Sequence, residues 1–260
     1  MVQTILYDGS FEGLLCAIFD VYEYKFSHVH ICTGENFKGN IFEKVHTANI
    51  NRQHSERVWK GLEKKLSREA LQQFYRTFLS EGEDIENVLL QYAQYVFSSA
   101  AAVESDFSHP AVLTVVKTAK KVWREKHRME AFVRFQKTGD DLFYAIIEPD
   151  YDVLPLLAEH FARRYADQQW LIYDVKRKKG IYYNGELVED VTIQFAEGVN
   201  SSKDIAAIYA PGEQLYQQLW QQYFKSVNIA ARKNTKLHIQ HMPRRYWKYL
   251  TEKAPGAKIE

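Results

Sequence analysis

The chain has 260 residues, 46% of them hydrophobic, with 34 Lys plus Arg against 33 Asp plus Glu, which gives room for one large domain or two small ones around a real core and excludes a largely disordered protein. Two cysteines, Cys16 and Cys32, without a CxxC pair or a matching His spacing, exclude a disulfide framework and a structural zinc site and point to a reducing cytoplasm. No basic leader precedes the first apolar run, and the stretch 14–19 is too short to span a bilayer, so no membrane association is expected.

Residues 2–7 predict a strand, Asp8-Gly9-Ser10 a turn with a good N-cap, 11–24 a helix and 28–32 a second strand, which together make a β-α-β unit. The turn YDGSFEG has neither GxGxxG nor GxxxxGK[ST], so it reads as a plain turn and not as a phosphate loop. From 55 to about 100 the pattern is helical, with Ile85, Val88, Leu89, Tyr92 and Val96 on one face. Residues 77–116 hold no Lys or Arg but include Glu81, Glu83, Asp84, Glu86, Glu104 and Asp106, an acidic stretch suited to a basic partner or to the chain's own tail.

Ser108 to Pro110 opens another helix, with Val112, Val115, Val116, Ala119, Val122 and Trp123 on the buried stripe and Lys117, Lys120, Lys121, Arg124 and Arg128 on the opposite side. Alternating stretches follow at 132–136 and 142–148, then a helix over 152–165, then strands at 170–176, 181–183 and 187–195, with turns at Lys179-Gly180 and Asn184-Gly185. The expected fold class is α+β (mixed): a small N-terminal β-α-β unit, central helices, then an antiparallel sheet with helices on one face and a C-terminal helical arm. The expected division is 1–110, an α/β and helical region, and 111–260, a basic α+β region.

The basic charge is segregated. The segment 231–250, ARKNTKLHIQHMPRRYWKYL, carries six Lys or Arg and no Asp or Glu, and without it the body holds 28 basic against 33 acidic residues. Three clusters therefore make up a candidate polyanion-binding surface. Lys120, Lys121, Arg124 and Arg128 lie on a helix, joined by Arg163 and Arg164 on the next one; Lys178 and Lys179 lie at a hairpin; Arg232, Lys233, Arg244 and Arg245 lie on the arm, with Trp247 able to stack on an unpaired base. The same arm could instead dock on acidic surface of the chain itself.

Two catalytic alternatives stay open. Pro149-Asp150 followed by Asp174-Val175-Lys176 matches the proline-aspartate then aspartate-x-lysine pattern of a nuclease superfamily, in which Asp150 and Asp174 would hold Mg²⁺ and Lys176 would polarise water. A helix between the two aspartates argues against it, and Asp150 and Asp152 also suit a turn and an N-cap. His127, near Glu125 and Glu130, is a candidate acid or base or a phosphate contact at a helix end. Cys16, among Leu15, Ile18 and Phe19, reads as a core thiol.

The blocks YDGSFEGLLCAIFD at 7–20, EKHRMEAFVRF at 125–135, HFARRYADQQWLIYD at 160–174, WQQYFKSVNIAARKN and MPRRYWKYLTE resemble an uncharacterised bacterial family of DNA-metabolism proteins. The resemblance implies a partnership with a separately encoded radical SAM protein of DNA modification or repair, and in some members fusion to a uracil-DNA glycosylase-like domain. This chain has no three-cysteine cluster, so any iron-sulfur chemistry would belong to the partner. The expected function is that of a cytoplasmic accessory protein that binds DNA or RNA with no cofactor or metal of its own.

Overall fold

In a computed structural model, residues 3–37, 39, 44–139, 141–192 and 242–250 are described. The fold class is mixed α+β, with two sheets among the described residues. Two compact units divide the chain, Met1–Trp123 and Arg124–Glu260.

The first unit opens with β1 (Gln3–Tyr7), α1 (Phe11–Glu23) and β2 (Val29–Thr33), the β-α-β unit expected from the alternation of apolar residues. A third strand, β3 (Lys44–Thr47), was not expected; it pairs with β1 in parallel, so the sheet order is β2-β1-β3. Ser10 caps α1 by accepting from the Gly13 amide at 2.9 Å, while Asp8 Oδ1 accepts from the Ser10 amide and hydroxyl. A Cβ at Gly13 would fall 2.0 Å from Asp8 Oδ1, so glycine there is what lets the chain's own carboxylate lie over the helix N-terminus. The place an anion would take at such a terminus is thereby filled, in keeping with a plain turn.

The helical window then resolves into α2 (Arg52–Glu63), α3 (Arg68–Phe78) and α4 (Ile85–Ser98). Asn51 and Ser67 cap the first two through their side chains. Ile85 is buried, and Leu89, Tyr92 and Val96, with Val88 packed beside them, join Ile5, Leu14, Ile18, Ile31, Leu62 and Phe74 in one core. Buried Asn87 on α4 accepts from the Ile31 amide at 2.8 Å and donates to the Ile31 carbonyl at 3.0 Å, which satisfies the open edge of β2. Cys16 is a buried free thiol in contact with the Asn51 backbone.

The helix α5 (Pro110–Phe132) is continuous over 23 residues. Val112, Val115, Ala119 and Val122 are buried as expected, but Trp123 is 44% exposed. Counted at 100° per residue, Trp123 sits at the edge of the apolar stripe beside Lys120, and the smaller side chains fill the core without it.

The second unit holds β4 (Gln136–Lys137), β5 (Phe143–Ile147), α6 (Leu154–Arg164), β6 (Trp170–Asp174), β7 (Lys179–Tyr183) and β8 (Val188–Val191) in the order β4-β5-β6-β7-β8. The sheet is mixed where an antiparallel one was expected: β5 and β6 run parallel, joined by α6, and the other three pairings are antiparallel. A strand-helix-strand order imposes this, because the helix returns the chain to the same end of the sheet. The turn expected at Lys179-Gly180 falls earlier, at residues 175–178, with Lys178 at φ 54°. Gly180 is a strand residue instead, where a Cβ would lie 2.8 Å from the Ile172 carbonyl oxygen. The core of this unit is aromatic: Trp170 is flanked by Phe161, Phe135 and Tyr183 at centroid distances of 6.1, 6.1 and 5.4 Å. A 3-10 helix, Arg244–Tyr249, ends the described chain.

Candidate nucleic-acid interface

The expected basic residues fall into two groups, those consumed by ion pairs within the chain and those left to solvent. On α5, Lys117, Lys120, Lys121 and Arg124 are all exposed, and no ion pair to any of them occurs among the described residues. Arg128, one turn on, is half-buried with its guanidinium 3.6 Å from Glu125. On α6, Arg163 pairs with Glu159 at 2.8 Å, and Arg164 lies over the Tyr165 ring at 5.7 Å. Both side chains point outward on an exposed turn.

The turn between β6 and β7 is built by Asp174, which is fully buried. Its Oδ1 accepts from the amides of Lys176 at 2.9 Å and Arg177 at 3.3 Å, and its Oδ2 takes the Arg177 guanidinium at 2.8 Å. Arg177, with a side chain only 7% exposed, also donates to the carbonyls of Pro149 and Asp150, and Lys176 Nζ donates to the Asp150 carbonyl at 3.0 Å. Lys179 Nζ meets Asp152 at 2.6 Å. Asp152, expected as an N-cap, therefore serves as a strand-to-loop tie; the N-cap position of α6 is Val153, without a side-chain cap bond. Of this turn, Lys178 remains exposed.

The arm is docked. Tyr246 is buried against Phe132, and its hydroxyl donates to Glu125 Oε1 at 2.5 Å. Glu125 is itself 1% exposed, and it also accepts from the Asp150 amide at 2.9 Å and lies 3.4 Å from Arg245. Arg245 bridges onward to Asp150 Oδ2 at 2.6 Å. Lys248 and the Tyr249 hydroxyl both bind Glu148. Arg244 stays exposed, 5.7 Å from the ring centroid of half-buried Trp247, whose indole N–H donates to the Met242 carbonyl. The described part of the arm thus finds its carboxylates at Glu125, Glu148 and Asp150 inside its own unit. Arg232 and Lys233 lie outside the described residues.

The same contacts set protonation. The Lys248 ammonium, then the Tyr249 hydroxyl, hold the Glu148 carboxyl below its usual range. Burial, then Glu148, pushes the Tyr249 phenol up to about 12, and burial with Glu125 raises Tyr246 as well. A carboxylate lowered in the folded state contributes stability above its unfolded value, and that contribution disappears as pH falls through the folded one. Glu148→Gln is therefore expected to unfold at a lower urea concentration than the wild type at neutral pH. Below the carboxylate range the two curves should converge. Urea titrations across pH test this, and a constant offset at every pH would show that the charge on Glu148 is not what holds the arm.

The catalytic candidates are placed as follows. Asp174 is buried and bound by Arg177 and two amides, Asp150 faces Arg245, and Lys176 binds a backbone carbonyl. Among the described residues no group of three or more His, Cys, Asp or Glu is arranged to hold a metal ion. His127 is highly exposed, with Nδ1 3.6 Å from Glu130. Glu130, which also binds Lys126 and lies 3.1 Å from His160 Nδ1, is the hub of this small cluster, and His160 was not anticipated.

The sequence showed Glu125 only as a neighbour of His127 and not as a buried hub. A signal existed: Val122, Glu125 and Met129 recur at helical spacing, and a carboxylate on an apolar stripe needs a partner. Its partner, Tyr246, is 121 residues away.

Residues 83–252 match a family described as a domain of unknown function, DUF4130. That stretch is well over half of the chain, and the chain belongs to this family. No curated protein matches it. Among solved structures, a pGpG-specific phosphodiesterase, PggH from Vibrio cholerae, is similar at 9% identity and a TM-score of 0.35, over 69% of this chain and 81% of that one; a likeness this loose carries nothing about function. No helix among the described residues is long and apolar enough to cross a membrane.

Proposed function

We propose that the chain is a nucleic-acid-binding accessory protein of DNA repair or modification, working in the cytoplasm beside a separately encoded radical SAM protein. The observation that carries the binding half of this reading is the run Lys117, Lys120, Lys121 and Arg124, four exposed cations on successive turns of α5 with no ion-pair partner among the described residues. Rotamer-rich cations facing water on one helix side meet the phosphate spacing of a nucleic-acid strand without having to break existing pairs. Lys178, Arg163, Arg164 and Arg244 are exposed cations of the same reading. Arg245 and Lys179 have structural partners already and contribute less. The radical SAM partnership and the link to uracil-DNA glycosylase-like proteins rest on the sequence blocks, of which 125–135, 160–174 and MPRRYWKYLTE supply Glu125, His160, Asp174, Arg245 and Tyr246 of the charged network.

Binding of labelled DNA and RNA, followed by anisotropy over a range of salt, tests the reading. Each phosphate contact contributes roughly 0.9 to the log-log salt slope on duplex DNA and roughly 0.7 on single strands. Lys120→Glu together with Lys121→Glu is expected to weaken binding and to flatten the slope by about 2. An unchanged slope would remove α5 from the interface.

The metal-dependent nuclease using Asp150, Asp174 and Lys176 is the weaker alternative, since the Asp174 carboxylate is spent on Arg177 and two amides. An acid-base role for His127 is carried by its Glu130 neighbour alone.

A further inference from the structure

Glu130 brings together two imidazoles that stand far apart in the sequence. Its side chain is 14% exposed; Oε1 receives the Lys126 ammonium and lies 3.1 Å from His160 Nδ1, while Oε2 lies 3.6 Å from His127 Nδ1. His127 and Glu130 come from the last turns of α5 and His160 from α6, all within the second unit. The two rings are therefore neighbours through one carboxylate, and Lys126 holds that carboxylate in place.

A carboxylate facing Nδ1 sets the tautomer, with the hydrogen on Nδ1 and a lone pair on Nε2, and so orients an imidazole for proton transfer. Neither Nε2 makes a hydrogen bond among the described residues. The side chains of His160 and His127 are 34% and 81% exposed, so solvent reaches both. Exposed cations border the pair on each helix: Arg124 three residues before His127, Arg163 and Arg164 three and four residues after His160.

Two imidazoles, one unprotonated and one protonated, complete a phosphoryl transfer with no further reactant when the strand carries its own nucleophile. The 2′-hydroxyl of RNA is such a nucleophile, and DNA lacks it. We propose that His160 and His127, oriented by Glu130, form an acid-base centre that cleaves RNA by transesterification. One imidazole takes the 2′-hydroxyl proton, and the 2′ oxygen bonds to the adjacent phosphorus. The bond from phosphorus to the 5′ oxygen breaks as the other imidazole gives that oxygen its proton. A 2′,3′-cyclic phosphate and a 5′-hydroxyl end result, with no atom gained or lost, and exchange with water resets the two protons. This goes beyond the accessory role and rests on the nucleic-acid reading only for the cations that hold the strand.

The full chain is incubated with RNA and DNA oligonucleotides of one sequence in the presence of EDTA, and binding is followed in parallel by anisotropy. Wild type is expected to cleave the RNA alone and to leave cyclic-phosphate ends. His160→Ala and His127→Ala are each expected to slow cleavage by about 100-fold or more, as for the loss of one acid or base, while RNA binding is kept. Glu130→Gln is expected to move the pH profile of cleavage as well as to slow it; an unmoved profile would remove Glu130 from the centre. RNA that the wild type binds but leaves intact overturns the centre and leaves the nucleic-acid reading standing. No binding of either strand at low salt brings down both. Equal cleavage of DNA, cleavage that EDTA abolishes, or a wild-type rate in both histidine variants also overturns the centre. His127 is almost wholly in solvent, so His127→Ala decides the matter even if circular dichroism shows His160→Ala to be misfolded.

Discussion

Asp174→Ala is expected to lower the unfolding free energy by about 3–5 kcal/mol, the range for removing one partner of a buried ion pair. The carboxylate is fully buried, and its loss leaves the Arg177 guanidinium, 7% exposed, beside an empty space with two amides orphaned at the same turn. Through Arg177 the damage reaches the carbonyls of Pro149 and Asp150, so the loop that precedes α6 should loosen together with the β6-β7 turn. Asp174→Asn keeps an acceptor for the amides and is expected to cost less. Chemical denaturation measures both. If Asp174→Ala proved as stable as the wild type, the carboxylate would not be a structural pin, and a metal-binding role for it would regain its footing.

Trp170→Ala is the second large effect, expected at about 3–5 kcal/mol for truncating a fully buried indole. The side chain is 0% exposed and sits among Phe135, Phe161 and Tyr183, where the sheet and α6 close on each other. Its indole N–H has no hydrogen-bond partner among the described residues, and burying a polar group without one is costly. Trp170→Phe removes that group along with some volume and is thus expected to retain most of the stability that the alanine variant loses. Urea midpoints of the two variants decide it: equal losses would mean that the N–H is satisfied in solution.

Local patterns carried much of this fold. The strand-turn-helix-strand opening was legible because apolar alternation, an Asp-Gly turn and a Ser cap each point to the same local structure. The heptad-like spacing of Ile85, Leu89, Tyr92 and Val96 likewise declared which face of α4 is buried. What escaped was set by distant parts of the chain. The strand KVHT, 44–47, is four residues long and mostly exposed, so it shows no burial pattern of its own and exists by pairing with β1. The direction of β6 relative to β5 followed from the intervening helix and not from either strand's composition. Gly180 looked like a turn residue, although the constraint on it is the neighbouring strand's carbonyl.

The basic residues show the same limit from the side of charge. Sequence spacing groups the basic residues but could not say which of them were spoken for. Lys179, Arg245 and Lys248 turned out to face Asp152, Asp150 and Glu148, whereas Lys117, Lys120, Lys121 and Arg124 face water. The difference lies in carboxylates that the apolar pattern brings inside or close to the surface, above all Glu125.

The docked arm also makes the charge of one patch of the second unit conditional on a short terminal peptide. A chain cut before Pro243 would keep Glu125, Glu148 and Asp150 but lose the Arg245 and Lys248 that cover them, and the patch would repel phosphate by default. Forms shortened in this way would then present uncovered carboxylates in a binding assay, and a negative result from them would describe the cut and not the protein.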